Sequence, residues 1–162
     1  MARVEPATSE LTYPFWEATR EHRYLVQWCT SCATPIFYPR EACPWCLASD
    51  TLEWKESNGE GIVHAVSVQY RPGNPAMNEQ VPYVVALVEL DAGADNATIR
   101  VMSNVVNCDP EHVRIGDEVS LVWELLTDGR NLPLFEPASD STGRSRTDPS
   151  TTASRHPAKE TQ

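Results

Sequence analysis

From Leu52 onward, apolar and polar residues alternate with a period close to two, the signature of half-buried strands. Residues 52–57 (LEWKES) predict a short strand, and Gly59 and Gly61, bracketing Glu60, predict a turn or bulge where the next one begins. Residues 62–70 follow, with Ile62, Val66, Val68 and Tyr70 on one face and His64 counted with that apolar side. Residues 83–90 (YVVALVEL) are apolar on both faces, Tyr83, Val85 and Leu87 on one and Val84, Ala86, Val88 and Leu90 on the other. That pattern predicts a strand covered on both sides. Residues 97–106 set Ile99, Val101 and Val105 inward, residues 118–126 do so with Val119, Leu121, Trp123 and Leu125, and residues 132–135 offer a last short strand.

No helical pattern of 10–15 residues separates these strands, which excludes a helical bundle and a parallel α/β sheet. Between residues 109 and 119 there is room for one short turn of helix and a tight Ile115-Gly116-Asp117 turn. Five strands with such a link before the fourth predict a Greek-key barrel of the OB type. Upstream, residues 12–22 predict a short helix with Thr12 or Tyr13 near its cap and Pro14 in its first turn. Its apolar side is Leu11, Phe15 and Ala18, with Trp16 beside them, and residues 23–28 read as a strand. Residues 1–10 read as a frayed terminus, and from Ala138 to Gln162 there is no Leu, Ile, Val, Met or aromatic residue, so that tail is expected to be disordered. The fold class expected is mainly β: helix and ribbon over 11–50, a five-stranded OB-type barrel over 51–137, and the tail over 138–162.

Composition changes the picture at one place. Four of the five cysteines fall in CTSCATPIFYPREACPWC, residues 29–46, as two Cys-x-x-Cys pairs ten residues apart. A redox site needs one such pair opening a helix, but Pro35, Pro39 and Pro44 forbid a regular helix here. Two knuckles carrying Cys29, Cys32, Cys43 and Cys46 instead predict a tetrahedral four-thiolate Zn²⁺ site. With no open position left for water or substrate, that zinc is expected to be structural. Glycine often follows the second cysteine of a knuckle, where φ is positive; here Ala33 and Leu47 stand there.

Charge narrows the partners. Against 13 Lys and Arg stand 23 Asp and Glu, for a formal net charge of −10. Such a chain is repelled by nucleic acid and by anionic membranes. MARVEPATSE lacks the apolar stretch of a secretory leader, and no run of about 18 apolar residues exists. The expected compartment is the cytoplasm, where thiols stay reduced.

Catalytic pieces do not assemble in the sequence. Cys108 lies beside Asp109 and near His112, but a small, partly buried thiol near a turn is the ordinary reading. His64 reads as a core or interface histidine, and His22 as a helix-end cation suited to the dipole. His156 sits in the tail, and Glu53, Glu56 and Glu60 read as a solvated charge run. No phosphate-binding glycine loop appears. The linker over residues 71–82, RPGNPAMNEQVP, is long for a strand connection and holds three prolines. It is either a surface loop or a contact site for an acyl-CoA or a partner, and in the second case the contacts are Tyr70, Arg71, Pro72, Asn74, Met77, Pro82 and Tyr83.

The order of helix, paired-cysteine ribbon and barrel, with PFWEA, YLVQWCTSC, FYPREACPWC, VRIGDEVSLVWE and LPLFEPA, resembles the acyl-CoA-associated OB-fold proteins with a rubredoxin-like zinc ribbon. YPREACPWC is its most specific part, and the resemblance covers roughly residues 13–137. It implies an accessory subunit of thiolase-superfamily enzymes: thiolases, hydroxymethylglutaryl-CoA synthase complexes, or lipid-transfer-protein-like aldolases of steroid side-chain degradation. The partner would supply the catalytic residues, while this chain helps hold a CoA ester that the two share. The preferred expectation is an aldolase partner carrying out retro-aldol cleavage of a β-hydroxyacyl-CoA, in a heterotetramer around the partner's dimer. A thiolase or synthase scaffold is the near alternative. A single-stranded nucleic-acid module, with Trp54, Tyr70 and Tyr83 as stacking platforms, is the distant one, because it runs against the charge.

Overall fold

A computed structural model of the chain describes residues 5–73 and 75–138. Asn74 and the tail over 139–162, on which the expectation of disorder falls, lie outside the described residues. The chain opens with α1 (Tyr13–Ala18), continued by one 3₁₀ turn, Thr19–Glu21, and ended by His22 at φ 58°. Pro14 sits in the first turn, where its missing N–H costs nothing. Thr12 precedes the helix but makes no side-chain cap, because its hydroxyl is engaged with Ser9.

Two sheets follow. The first is a three-stranded antiparallel ribbon of β1 (Leu25–Cys29), β2 (Thr34–Ile36) and β3 (Leu52–Glu56), in the order β2-β1-β3. The second is a closed barrel of β4 (Glu60–Gln69), β5 (Tyr83–Asp91), β6 (Thr98–Val105), β7 (Glu118–Leu125) and β8 (Asn131–Pro137), in the order β4-β5-β6-β8-β7. This is the OB-type barrel the strand pattern predicts. The link before β7 makes two hydrogen-bonded turns, His112 N–H to Asp109 O and then Asp117 N–H to Arg114 O around Ile115-Gly116, and no helix.

One core serves both sheets. Tyr24, Val26 and Trp28 from the ribbon pack with Val63, Val84, Val88, Leu90, Val119 and Phe135 from the barrel. The Trp28 indole, 1 % exposed, donates to the carbonyl of Ala92 at 2.6 Å, across the junction. Lys55 Nζ lies 4.2 Å from the centre of its ring. Asp91 accepts the N–H groups of Asn58 and Gly93, tying the chain's entry to the barrel to the turn after β5. A second tie joins the helix to the barrel. Buried Thr19 accepts the Asn131 N–H, and its carbonyl accepts the Asn131 amide at 2.8 Å.

Several face assignments need correction. Val63, not Ile62, points inward on β4, because a bulge between Val63 and Ala65 sets two residues opposite one on β5. Val66 keeps its contact with the core, while Ile62 and Tyr70 are exposed. The same bulge puts His64 outside, with its Nδ1 3.8 Å from Glu89 Oε2, so it is not a core histidine. On β7, Leu125 is exposed and Leu126, just beyond the strand, is buried. Strand β5 is covered on one side only: Val84, Ala86, Val88 and Leu90 are buried, but Leu87 is exposed and Tyr83 and Val85 are half-buried. Closing the barrel leaves an outer face that neither the helix nor the ribbon covers.

Gly93 has φ +86°, and a Cβ there would lie 2.3 Å from the Glu56 carbonyl oxygen. Gly93→Ala therefore combines left-handed strain with a backbone clash at the ribbon–barrel junction. Urea denaturation is expected to show a loss of at least about 2 kcal/mol.

Candidate metal centre and apolar groove

Each cysteine pair sits on a knuckle whose backbone the sequence makes possible at some cost. Ala33 and Leu47, the residues after Cys32 and Cys46, have φ 50° and 61°. These are the positions where glycine is usual, so two L-residues bear left-handed strain that the knuckles require. The second knuckle closes through Leu47 N–H to Cys43 O at 2.9 Å and Cys43 N–H to Ala48 O at 2.8 Å.

The four Sγ atoms all lie within 4.8 Å of one another. Cys29 and Cys46 Sγ are 3.5 Å apart, and Cys32 and Cys43 Sγ are 3.6 Å apart. Thiolates on one tetrahedral Zn²⁺ at about 2.3 Å stand about 3.8 Å apart, so the donor set fits that ion. The Thr51 hydroxyl, 3.4 Å from Cys29 Sγ, favours its thiolate and lowers its pKa. Cys29 and Cys43 are buried and Cys46 is exposed. Four sulfurs complete the coordination sphere, which is the composition of a structural rather than a catalytic zinc.

The other candidates are dispersed. The Cys108 thiol is directed at the Val105 carbonyl, 4.0 Å away, and burial raises its pKa, while His112 pairs with Asp109 at 3.0 Å. The three do not form a nucleophile–base relay. His22 stacks on Trp123, with ring centres 5.6 Å apart. Glu56 accepts from Arg23 at 2.8 Å and Glu53 lies 3.4 Å from Lys55, so two members of the expected charge run hold ion pairs.

The residues expected to contact a CoA ester or a partner are divided by the structure. Arg71, Pro72 and Pro82 are exposed. Tyr70 is exposed as well and donates to Glu111 at 2.9 Å; that bond raises the phenol's pKa. Tyr83 is half-buried at the start of β5. Met77, in a 3₁₀ turn over Pro75–Met77, is turned inward and buried.

An apolar groove of about 410 Å³ lies elsewhere, where α1, the ribbon and the barrel meet. Its walls include Phe15 and Trp16 from the helix, Phe37 and Tyr38 after β2, Met102 on β6 and Leu132 on β8. It opens where β6 and β8 diverge: they pair only at Val105 and Phe135. Pro133 has no N–H to offer across the gap, and the Ser103 hydroxyl instead donates to its carbonyl at 3.0 Å. Gln27 holds the far wall, accepting the Arg40 N–H at 2.8 Å and donating to the Arg40 carbonyl at 3.0 Å. No Asp, Glu, Lys or Arg lines the groove. Periodicity along a single strand does not reveal a space made by three elements; the one signal in the sequence was the aromatic pair in PFWEA.

This architecture recurs in known proteins. Residues 16–53 match the family described as ChsH2, rubredoxin-like zinc ribbon domain, and residues 54–124 match ChsH2, C-terminal OB-fold domain. The chain belongs to the ChsH2 family. Among solved structures it is similar to a chain of the Ltp2-ChsH2(DUF35) aldolase, with 34% identity and a TM-score of 0.69, over 82% of this chain and 98% of that one. A DUF35 domain-containing scaffold protein of Methanothermobacter thermautotrophicus is 40% identical over 59% of this chain and 67% of its own length. A probable enoyl-CoA hydratase alpha subunit of Thermomonospora curvata is 35% identical over 84% of this chain; the match spans only 40% of that longer protein. The rubredoxin-like ribbon, together with the four gathered sulfurs, supports structural zinc. Among the described residues, no helix is long and apolar enough to cross a membrane.

With zinc counted by native mass spectrometry, the expected stoichiometry is one ion per chain. Cys43→Ser is expected to abolish retention of that ion and to lower Tm by about 10 °C or more, since metal-binding energy is folding energy in a ribbon this small.

Proposed function

We propose that this chain is the accessory subunit of a thiolase-superfamily enzyme acting on CoA esters. The preferred partner is a lipid-transfer-protein-like aldolase that cleaves a β-hydroxyacyl-CoA by retro-aldol chemistry, a steroid side chain being one such substrate. The observation that carries the reading is the similarity, along 98% of that chain, to a component of an aldolase assembly. The word scaffold in the archaeal relative's description agrees with it. So does the surface, which presents Trp45, Leu47, Tyr38, Met102 and the outer side of β5 to solvent. Apolar side chains of this size on a knuckle and a groove rim suit burial against a second protein.

In this reading, the zinc holds the ribbon rigid so that its knuckles and the 37–40 segment keep their positions against the partner. The CoA ester is shared between the two proteins, and the partner supplies the catalytic groups. The assembly is a heterotetramer around the partner's two-fold dimer. The cytoplasm is the compartment in which both thiolates and CoA esters are at home.

The tagged protein, purified from its host at low salt, is expected to bring down a thiolase-superfamily enzyme in stoichiometric amount. The pair is expected to cleave a β-hydroxyacyl-CoA while the chain alone does not. Recovery of a solitary zinc protein, or steady acyl-CoA turnover by this chain by itself, would refute the proposal.

A further inference from the structure

Of the buried polar side chains that line the 410 Å³ groove, one makes no hydrogen bond through its polar atom to any described residue. Tyr24 lines it, is 2 % exposed, and packs edge-on against Phe15 with ring centres 5.1 Å apart. Its hydroxyl hydrogen-bonds to no group among the described residues. The other buried polar side chain of the lining, Gln27, is bonded to Arg40 through both its amide oxygen and its amide nitrogen. Ser103 and Asn104 are likewise engaged, with the carbonyls of Pro133 and Val84. Among the described residues Arg130 Nη1 is the one buried side-chain polar atom left without a partner, so the Tyr24 hydroxyl keeps a small exposure on the groove side, and in a cavity of ligand size a ligand oxygen can take the place of water there.

The rest of the lining limits what that ligand is. With no charged side chain in the groove, a phosphate or carboxylate would enter without a counter-charge. The nucleotide of a CoA ester is thereby excluded from it. The walls are aromatic rings, Met102 and aliphatic strand residues, suited to a neutral apolar chain or ring. Burial pushes the Tyr24 phenol far above its ordinary range, so it remains a protonated donor at any physiological pH.

We infer that the groove binds a neutral, largely apolar group bearing one ketone or hydroxyl oxygen, and that Tyr24 selects for that oxygen by hydrogen-bonding to it. This rests on the accessory-subunit reading only in identifying the group with the acyl part of a CoA ester. Acyl groups with an oxygen on the chain or ring would then be held better here than plain hydrocarbon ones. Tyr24 is a specificity-determining contact and takes no part in bond cleavage.

The test uses the zinc-loaded full chain without any partner. The probes are 2-octanone and its hydrocarbon isostere 2-methyl-1-octene, titrated while amide and indole N–H shifts are followed by NMR. The expected result is a set of shifts centred on Trp16, Phe37, Met102 and Leu132, with the ketone bound about 3- to 10-fold more tightly than the alkene. Tyr24→Phe, which keeps the ring and its packing, is expected to weaken the ketone by that factor and to leave the alkene unchanged. Equal affinities for the two probes, no effect of Tyr24→Phe on the ketone, shifts centred on the 71–82 loop instead, or no binding of the ketone up to its solubility limit would each overturn the inference. Co-purification with an enzyme is measured separately, so a failure of the groove and a failure of the accessory-subunit reading are told apart.

Discussion

The Trp28 side chain is where the two halves of this protein become one. It rises from the central strand of the ribbon, fills the shared core, and spends its only polar atom on the carbonyl of Ala92 beyond β5. A ribbon of three short strands cannot bury enough apolar surface to stand alone. Through Trp28, Val26 and Tyr24 it borrows the barrel's core. Gly93 and Asp91 then hold the two backbones close enough for that sharing to work.

Zinc and packing therefore brace the ribbon from opposite ends. The four cysteines organise its tip, where there is no core, and the aromatic residues organise its base. Between these fixed ends runs the segment over 37–40, pinned to Gln27 through Arg40. The groove is a product of this arrangement: one wall belongs to the metal-organised ribbon, one to the helix, and one to the gap between two barrel strands.

The family relationship and the surface agree on the kind of role involved. A closed barrel with one uncovered apolar side, exposed large residues on a rigid knuckle, and a charge-free groove are features of a protein completed by something else. A net charge of −10 makes a nucleic acid an unsuitable choice for that something. An enzyme subunit suits it better.

The sequence by itself determined the architecture and the gathering of the four ribbon cysteines. Spacing of cysteines and a period of two are local, and each is decided by chemistry within a few residues: sulfurs must converge on one ion, and side chains must alternate across a sheet. Even the strain at Ala33 and Leu47 was legible, because a knuckle needs positive φ there. Tertiary structure decided the rest. The bulge that exchanges Ile62 for Val63 depends on how β4 meets β5, and the exposure of Leu87 depends on what else is available to cover it. The burial of Met77 depends on how its loop folds back. The groove and the unpaired Tyr24 hydroxyl exist only because residues far apart in the chain stop short of one another, and no local pattern records a space that is left unfilled.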